Sequence, residues 1–425
     1  MAAKAFSVPL EKICRFAMLA VAARALKEAA FGRFQFADTV TALLVLGTDL
    51  GLGIWTTRAL ARGQPDRAAE IVGTGLWVRG LAALPYLVLV AVAAWAVGAG
   101  DTRAVLCFLG VSALAGAFVE YCGSVFRGYE RLRDEARLNV VRALLVAVAG
   151  LSALACRRSV VALAAGVMVG SIAAAGYGLA IIRRRYRLPT PLRGAPFHPR
   201  LARAAIREAL PLWLATLMSL VYFKGDAVLL RLFAGDAAVG SYSAAYKIFE
   251  ATMILPSIVM AASFPTLVRA HDQDSSHRRR SEVGLGTALF GLGVVVGAGI
   301  FLASGLAIRA AFGPAFANAV PALRVLAFAV PILFLNYGLT HFLIARRLER
   351  YNLAFTIVMV VLNVGANLMF IPRFAGLGAA WTTVGTEVVL TASCLLTLGW
   401  APRASAYPAK PPEARSATSK VRTSE

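Results

Sequence analysis

The residues with the clearest chemical potential are three charges inside one apolar stretch, 220-LVYFKGDAVLLRLF-233. Lys224 could bind an anion as a mobile point charge, Arg231 could hold an anion through its rigid fork, and Asp226 could couple to an ion. Lys224 and Arg231 are seven residues apart and share a helix face, whereas Asp226 lies on nearly the opposite face. We therefore expect the two cations to face one environment and the carboxylate another.

The composition of the chain defines those environments. Of the 425 residues, 59% are hydrophobic and only 16% are charged, whereas soluble domains are about half apolar and a quarter charged. The apolar residues form long runs from end to end, each able to cross about 30 Å of hydrocarbon as a helix. Because open sheets cannot span lipid, the sequence predicts an all-α polytopic membrane protein.

About twelve transmembrane helices are predicted, with approximate cores at 8–26, 36–58, 72–98, 103–126, 137–156, 159–182, 208–233, 239–267, 284–311, 319–345, 351–371 and 376–399. Arginines crowd alternate connections, for example 183-RRR-185 and 278-RRR-280, and the intervening connections are poor in them. By the positive-inside rule, this alternation and the net charge of +22 predict a multi-pass protein of the cytoplasmic (inner) membrane with both termini in the cytoplasm.

The first predicted span carries the most charge. Glu11, Lys12, Arg15 and Arg24 leave only 16-FAMLAVAA-23 uncharged. A signal peptide is the alternative, because the segment has a short apolar core and a basic flank. Its removal would spoil the charge alternation, since the second span would then start from the wrong side.

An internal repeat divides the spans into two sets of six. The segment 28-EAAFGRF-34 follows the first span, and 236-DAAVGSY-242 follows the seventh, 208 residues later. An even-numbered repeat keeps its orientation, which predicts two six-helix bundles related by a parallel pseudo-twofold axis. Chance similarity between alanine-rich segments is the alternative. The predicted organisation is an N-terminal bundle over 1–182, a basic cytoplasmic linker over 183–207, a C-terminal bundle over 208–400 and a disordered cytoplasmic tail over 401–425.

Three segments resemble a known family. The block 24-RALKEAAFGRFQFADTVTALLVLGTDLGLG-53 resembles the opening of the oligosaccharide flippases of polysaccharide and O-antigen synthesis. The block 209-ALPLWLATLMSLVYFKGDAVLLRLFAGDAAVGSYSAAYKIFEATMILP-256 resembles the start of their second half, and 125-VFRGYERLR-133 is similar to the loop after their fourth span. The resemblance covers nearly the whole chain. Lys27 departs from the family, which usually has glycine at this position.

The resemblance implies membership of the multidrug/oligosaccharidyl-lipid/polysaccharide exporter superfamily, with a central cavity that opens alternately to the two sides of the membrane. The cargo would be a lipid-linked oligosaccharide of the undecaprenyl-diphosphate type. Partners would be membrane lipid, a polysaccharide polymerase and glycosyltransferases. A cation-coupled multidrug antiporter of the same superfamily is the alternative, because the predicted intramembrane charges nearly balance. A membrane polysaccharide polymerase or glycosyltransferase is less favoured, because every predicted outer connection is short.

The sequence shows no motif of an enzyme, a cofactor or a metal site. The four histidines have no metal-ligand spacing, and no phosphate-binding loop of the G-x-x-x-x-G-K-[ST] type occurs. The five cysteines fit small buried apolar residues better than disulfides. Basic charge in a soluble chain would indicate nucleic acid, but here membrane topology explains it. We therefore expect a transporter without catalysis, cofactor, metal or nucleic acid.

The candidate site residues fall within the predicted spans. We expect the cavity to offer cations for phosphate and tyrosine rings for sugars: Lys224, Arg231, Lys247, Tyr242, Tyr246, Arg79 and Arg142. Coupling to an ion gradient would use Glu120, Asp226 or His341; the membrane potential acting on an anionic cargo is the alternative. Structural pairing is an alternative for Lys247, with Glu250, and for Asp226, with a cation on another helix.

The charge alternation predicts a topology that fusions can test. A reporter fused after Arg187 should report the cytoplasm, and one fused at Asp236 should report the outside of the membrane, because basic connections stay on the cytoplasmic side. Paired reporters, one active only in the cytoplasm and one only outside it, measure this directly. The reverse pair of results would contradict the twelve-span topology.

Overall fold

The structure, a computed structural model, describes residues 2–63, 67–97, 100–188, 194, 196–271, 275–346 and 348–400. The predicted tail over 401–425 and part of the predicted linker lie outside these residues. Within them the chain forms eleven α-helices and no strand. The helices are α1 (Ala2–Val45), α2 (Leu52–Ala61), α3 (Ala68–Ala96), α4 (Asp101–Gly128), α5 (Leu132–Cys156), α6 (Val160–Arg185), α7 (Pro199–Thr252), α8 (Ile254–His271), α9 (Ser275–Phe312), α10 (Val320–Ala345) and α11 (Glu349–Trp400).

Nine helical segments in the described part of the chain are long and apolar enough to cross a membrane. Three of them, Pro9–Thr48, Trp213–Leu267 and Tyr351–Gly399, have 40, 55 and 49 residues, whereas one crossing needs about 20. Each of the three is interrupted by a single residue with a positive φ: Lys27 at 65°, Gly235 at 82° and Ala375 at 48°. Each long segment is therefore two helices joined by a one-residue turn.

Contacts across these turns show that the chain folds back on itself. Arg15 and Asp38, on either side of the first turn, form an ion pair of 3.0 Å. The hydroxyl of Tyr242 donates to the carboxylate of Asp226 across the second turn, at 2.8 Å. Counting each long segment as a hairpin turns the nine described segments into twelve spans, the number that the sequence predicts.

The helices pack as two bundles. Within the described residues α1 to α6 pack mainly on one another, as do α7 to α11, and the two sets meet chiefly where α1 lies against α7. Large apolar side chains cover the outside of both sets; Leu302 is 82% exposed and Trp95 is 76% exposed. Such a surface is unfavourable in water but is solvated by lipid. The exposed apolar belt is thus what a multi-pass membrane protein requires.

The two copies of the internal repeat begin at equivalent turns. The segment 28-EAAFGRF-34 starts directly after Lys27, whose φ and ψ are 65° and 177°. The segment 236-DAAVGSY-242 starts directly after Gly235, whose φ and ψ are 82° and −178°. Nearly the same backbone conformation at the same place in each half favours a structural repeat over chance similarity.

Lys27 occupies a backbone conformation that is essentially reserved for glycine. The equivalent residue in the second half is Gly235. The conformation is imposed by the one-residue turn, so the side chain at Lys27 must tolerate it. The departure from the family noted in the sequence therefore has a structural consequence, which is local backbone strain.

Lys27→Gly should stabilise the protein. The side chain of Lys27 is exposed, so little packing is lost. Relief of strain of about 1–3 kcal/mol should exceed the added chain entropy of glycine, about 0.5–1 kcal/mol, for a net gain of about 1 kcal/mol. A higher midpoint of thermal unfolding in detergent would measure it. The matched control is Ala25→Gly, at an exposed helical position two residues earlier, which should lower the midpoint. An unchanged midpoint for Lys27→Gly would contradict the strain.

Candidate functional site

Three charges meet between the two halves of the protein. Oδ2 of Asp38 lies 3.0 Å from Nη2 of Arg15 and 3.3 Å from Nζ of Lys224. Asp38 is eleven residues past Lys27, and Lys224 is eleven residues before Gly235, a depth of about 16 Å along each helix. That depth is close to the middle of a hydrocarbon layer about 30 Å thick. We call Arg15, Asp38 and Lys224 the central ion cluster.

Two cavities border the central ion cluster. The larger, about 430 Å³, lies within the N-terminal half and is called the N-side cavity. The smaller, about 260 Å³, is lined mostly by the C-terminal half and is called the C-side cavity. Asp38 and Lys224 line both. Their ion pair therefore forms a partition where the first half of the chain meets the second.

The N-side cavity is lined by basic side chains that are already paired with acids. Nη1 of Arg142 donates to Glu120 at 2.9 Å. Arg79 pairs with Asp49 and also donates to the carbonyl oxygen of Ala117 at 3.0 Å. The described lining carries five basic and four acidic side chains, an excess of one positive charge. An anion that enters this cavity must therefore compete with protein carboxylates for its cations.

The C-side cavity combines aromatic rings with an ion pair. The ring centroids of Tyr242 and Tyr246 are 5.8 Å apart, and both tyrosines line the cavity. Nζ of Lys247 lies 2.6 Å from Glu250, the i,i+3 pairing that the sequence left open as an alternative. Rings with polar groups beside them are suited to contact with sugars or with organic cations.

Asp226, which also lines the C-side cavity, is held by neutral donors. The hydroxyl of Tyr242 donates to Oδ2 at 2.8 Å, and the amide of Asn367 donates to Oδ1 at 2.7 Å. Throughout the described chain no basic side chain forms an ion pair with it. The predicted cation partner on another helix is therefore wrong. A carboxylate buried in the membrane without a cation is a candidate for binding a proton or a metal cation.

Two predicted site residues lie away from both cavities. Arg231 pairs with Asp236, and its guanidinium lies 5.7 Å from the ring centroid of Phe36. The expectation that the two cations face one environment and Asp226 another is wrong, because Asp226 lines the C-side cavity together with Lys224, whereas Asp236 holds Arg231 beside the turn at Gly235. Nδ1 of His341 lies 2.6 Å from the carbonyl oxygen of Tyr337, and the rings stack at 4.8 Å. The other predicted residues line one cavity or the other: Lys224, Lys247, Tyr242, Tyr246, Arg79, Arg142, Glu120 and Asp226.

Sequence reasoning missed two members of the central ion cluster. The second predicted span began at residue 36, which put Asp38 beside the headgroups. The structure has the helix resume directly after Lys27, which puts Asp38 near the membrane centre. Arg15 was taken only as a charge within the first span. For Asp38 the signal was available, because the repeat segment 28-EAAFGRF-34 can extend the second span and so place Asp38 deeper in it.

The family to which the chain belongs is shown by a match to a family model. The model of the family described as "Polysaccharide biosynthesis protein" matches residues 5–271 of the 425. The chain belongs to this polysaccharide biosynthesis protein family. The resemblance seen in the sequence is thereby confirmed. AglR of Haloferax volcanii, described as a probable flippase, is 26% identical over 195 residues. That match spans 45% of this chain and only 40% of the length of AglR.

Solved transporter structures share the fold. The lipid II flippase MurJ, in an inward closed conformation, gives a TM-score of 0.76 at 12% identity and matches 94% of this chain and 88% of MurJ. An inward-facing multidrug resistance MATE family transporter gives 0.77 at 14% identity, over 93% of this chain and 98% of that one. At such identities the likeness concerns the fold alone. It confirms the predicted fold, an all-α architecture of two repeated helical bundles.

The central ion cluster should behave as one energetic unit. Asp38→Asn should destabilise the protein, because it leaves Arg15 and Lys224 without their shared carboxylate. Lys224→Gln should lessen that loss in the double variant. We expect a coupling energy of about 0.5–3 kcal/mol from a double-mutant cycle measured by unfolding in detergent.

The matched control combines Asp38→Asn with Arg142→Gln. Arg142 also lines the N-side cavity but pairs with Glu120 instead. The effects of these two changes should therefore add. If the Asp38–Lys224 cycle is also additive, the contact between the two halves carries no energy and the cluster is not a unit.

Proposed function

We propose that this protein is a flippase that moves a lipid-linked oligosaccharide of the undecaprenyl-diphosphate type across the cytoplasmic membrane for surface polysaccharide synthesis. The observation that carries the proposal is the central ion cluster, in which Arg15 and Lys224 share one carboxylate beside a tyrosine-lined cavity. A diphosphate can replace that carboxylate as the partner of both cations. Membership of the polysaccharide biosynthesis family and the match to a probable flippase support the same cargo class.

In this proposal Asp38 is an internal substitute for the cargo. A basic side chain near the centre of a bilayer costs about 2.5–3.5 kcal/mol on insertion scales, so the empty protein needs an anion beside Arg15 and Lys224. The diphosphate competes with Asp38 for these cations. Because Asp38 lies in α1 and Lys224 in α7, the exchange also releases a link between the halves. The halves can then rock to expose the cavity to the other side, which is alternating access.

The two cavities would divide the cargo between them. The cations that line the N-side cavity, including Arg142, suit the diphosphate, and the rings of Tyr242 and Tyr246 suit the sugars. Lysine at position 224 suits a transport cycle, because a mobile point charge can bind and release a phosphate without the rigid fork of arginine. The protein would thus move its cargo without any covalent step.

The driving force in this proposal is an ion gradient coupled through Asp226. Of the three candidates, Glu120 is paired with Arg142, and His341 lies away from both cavities. Asp226 faces the C-side cavity, and its hydrogen-bond partners are neutral. The membrane potential acting on an anionic cargo is the alternative, and it needs no coupling residue.

A cation-coupled multidrug antiporter is the second candidate. The C-side cavity favours it, because the carboxylates of Asp226 and Glu250 stand beside two tyrosine rings, a setting that suits organic cations. The family match and the cations of the central ion cluster favour the flippase. In either case we place the protein in the cytoplasmic membrane with both termini in the cytoplasm. A polysaccharide polymerase and glycosyltransferases would be the functional partners of the flippase.

Lys224→Gln should leave a folded, inserted protein that no longer transports. The neutral amide cannot hold a diphosphate at mid-membrane, whereas Lys224→Arg should keep part of the activity. The measurement is recovery of surface glycan in a deletion strain, normalised to the amount of protein in the membrane. The deletion strain itself should lose surface glycan and accumulate lipid-linked glycan on the inner leaflet.

The matched control is Arg324→Gln. Arg324 also lies in a membrane span, but it pairs with the hydroxyl of Ser304 at 3.1 Å and lines neither cavity. Its loss should leave surface glycan unchanged. Normal glycan with Lys224→Gln at normal abundance would overturn the flippase proposal. A deletion strain that keeps its glycan and becomes sensitive to cationic drugs would identify the antiporter instead.

A further inference from the structure

The two repeat segments touch through their backbones on the outer side of the central ion cluster. A Cβ atom added at Gly32 would overlap the carbonyl oxygen of Asp236, and one added at Gly240 would overlap the carbonyl oxygen of Glu28. In both cases the neighbour is backbone, which cannot turn aside as a flexible side chain can. Only glycine therefore permits this approach of α1 to α7. We call these two reciprocal contacts the glycine clasp.

The glycine clasp is symmetric. Gly32 is the fifth residue of EAAFGRF, and Gly240 is the fifth residue of DAAVGSY. Each glycine meets the carbonyl group of the first residue of the other copy, Asp236 or Glu28. The contact thus lies on the pseudo-twofold axis that relates the two halves. The internal repeat, which the transport proposal does not use, is what creates it.

The glycine clasp lies within one helical turn of the C-side cavity, whose lining begins at Gln35 on one helix and at Tyr242 on the other. Six residues beyond Gly32, about 9 Å along its helix, Asp38 lines that cavity. Seven residues beyond Gly240, about 10 Å along the other helix, Lys247 lines the same cavity. The helices therefore touch at the clasp and diverge towards the membrane centre, and the cavity fills the space between them.

Side-chain contacts also join the two halves at the level of the glycine clasp. The hydroxyl of Ser241 donates to Oε1 of Glu28 at 3.3 Å. The ring of Phe31 lies 5.7 Å from the ring of Phe316 and 6.2 Å from that of Phe312, centroid to centroid. These rings join the first half to the end of α9 and to the connection between α9 and α10. All of these contacts join the two halves at the level of the glycine clasp.

We propose that the glycine clasp is the outer gate of the transporter and that Gly32 and Gly240 position the two halves in the inward-facing state. The proposal rests on the transport function proposed above. Close backbone contact through glycine is favourable between membrane helices, because Cα–H···O contacts and tight packing replace contacts with lipid. The clasp includes no charge and no cargo contact. It therefore sets the balance between inward- and outward-facing states in the empty protein.

The substitution Gly32→Ala tests the glycine clasp. The added methyl group should force the helices apart and favour the outward-facing state. The reporter is Ser243→Cys, which lines the C-side cavity, in a chain whose five native cysteines are replaced by alanine. Overpacking of this kind typically costs about 1–3 kcal/mol, so labelling by a membrane-impermeant maleimide added outside should be about 5- to 150-fold faster. Gly240→Ala should reproduce the effect, because the contact is reciprocal.

The matched control is Gly225→Ala. Gly225 also lies in α7, but a Cβ there would meet only a side-chain atom of Val221, at 3.9 Å. Labelling of Ser243→Cys from outside should stay at the parent rate. If both clasp variants also label at the parent rate while present at normal abundance, the glycine clasp is not the outer gate.

If the alanine variants do not fold, a disulfide cross-link tests the proposed gate instead. Glu28→Cys with Ser241→Cys should form a disulfide across the gate, because the Cα atom of Glu28 lies only 3.2 Å from a Cβ placed at Gly240, the neighbour of Ser241. Oxidation should suppress outside labelling of Ser243→Cys at least tenfold, and a reductant should restore it. Undiminished labelling of the cross-linked protein would overturn the proposal. Since labelling needs no cargo, failure of the cargo proposal would appear separately, as normal surface glycan with Lys224→Gln.

Discussion

The ion pairs that Asp38 makes with Arg15 and Lys224 are the interactions on which the centre of this protein depends. Charges at mid-membrane are costly, and they are found paired with one another or facing a water-filled cavity. Because Asp38 and Lys224 come from different halves of the chain, the contact that makes the charges tolerable also links the two bundles. Any anion that replaces Asp38 therefore changes the electrostatics and the packing in one event. That is the property that a transporter of an anionic lipid needs.

The two halves repeat a fold but differ in chemistry. In the first half the buried Arg79 is matched by Asp49, and ion pairs of this kind line the N-side cavity. In the second half the buried Asp226 is matched by the neutral groups of Tyr242 and Asn367. The repeat supplies the hairpins and the outer contact, whereas the site residues are particular to each half. In the proposed flippase one side would take the phosphates, and the other would take the sugars and the coupling ion.

Much of the fold could be predicted from the sequence, because hydropathy, arginine placement and the repeat are all local patterns. Lys224 could be placed in the cavity because its depth in the seventh span is easily counted. Asp38 was missed because its depth depends on where the preceding turn lies. The partner of Asp226 was misjudged because Tyr242 and Asn367 come from other spans, and a neutral donor in apolar sequence carries no signature.

The most direct test of the account is a cryo-electron microscopy structure of the protein with a short-chain polyprenyl-diphosphate oligosaccharide bound. The account predicts diphosphate density within hydrogen-bond distance of Arg15 and Lys224, with the carboxylate of Asp38 displaced from both. A bound diphosphate elsewhere, with Asp38 still bridging the two cations, would contradict it.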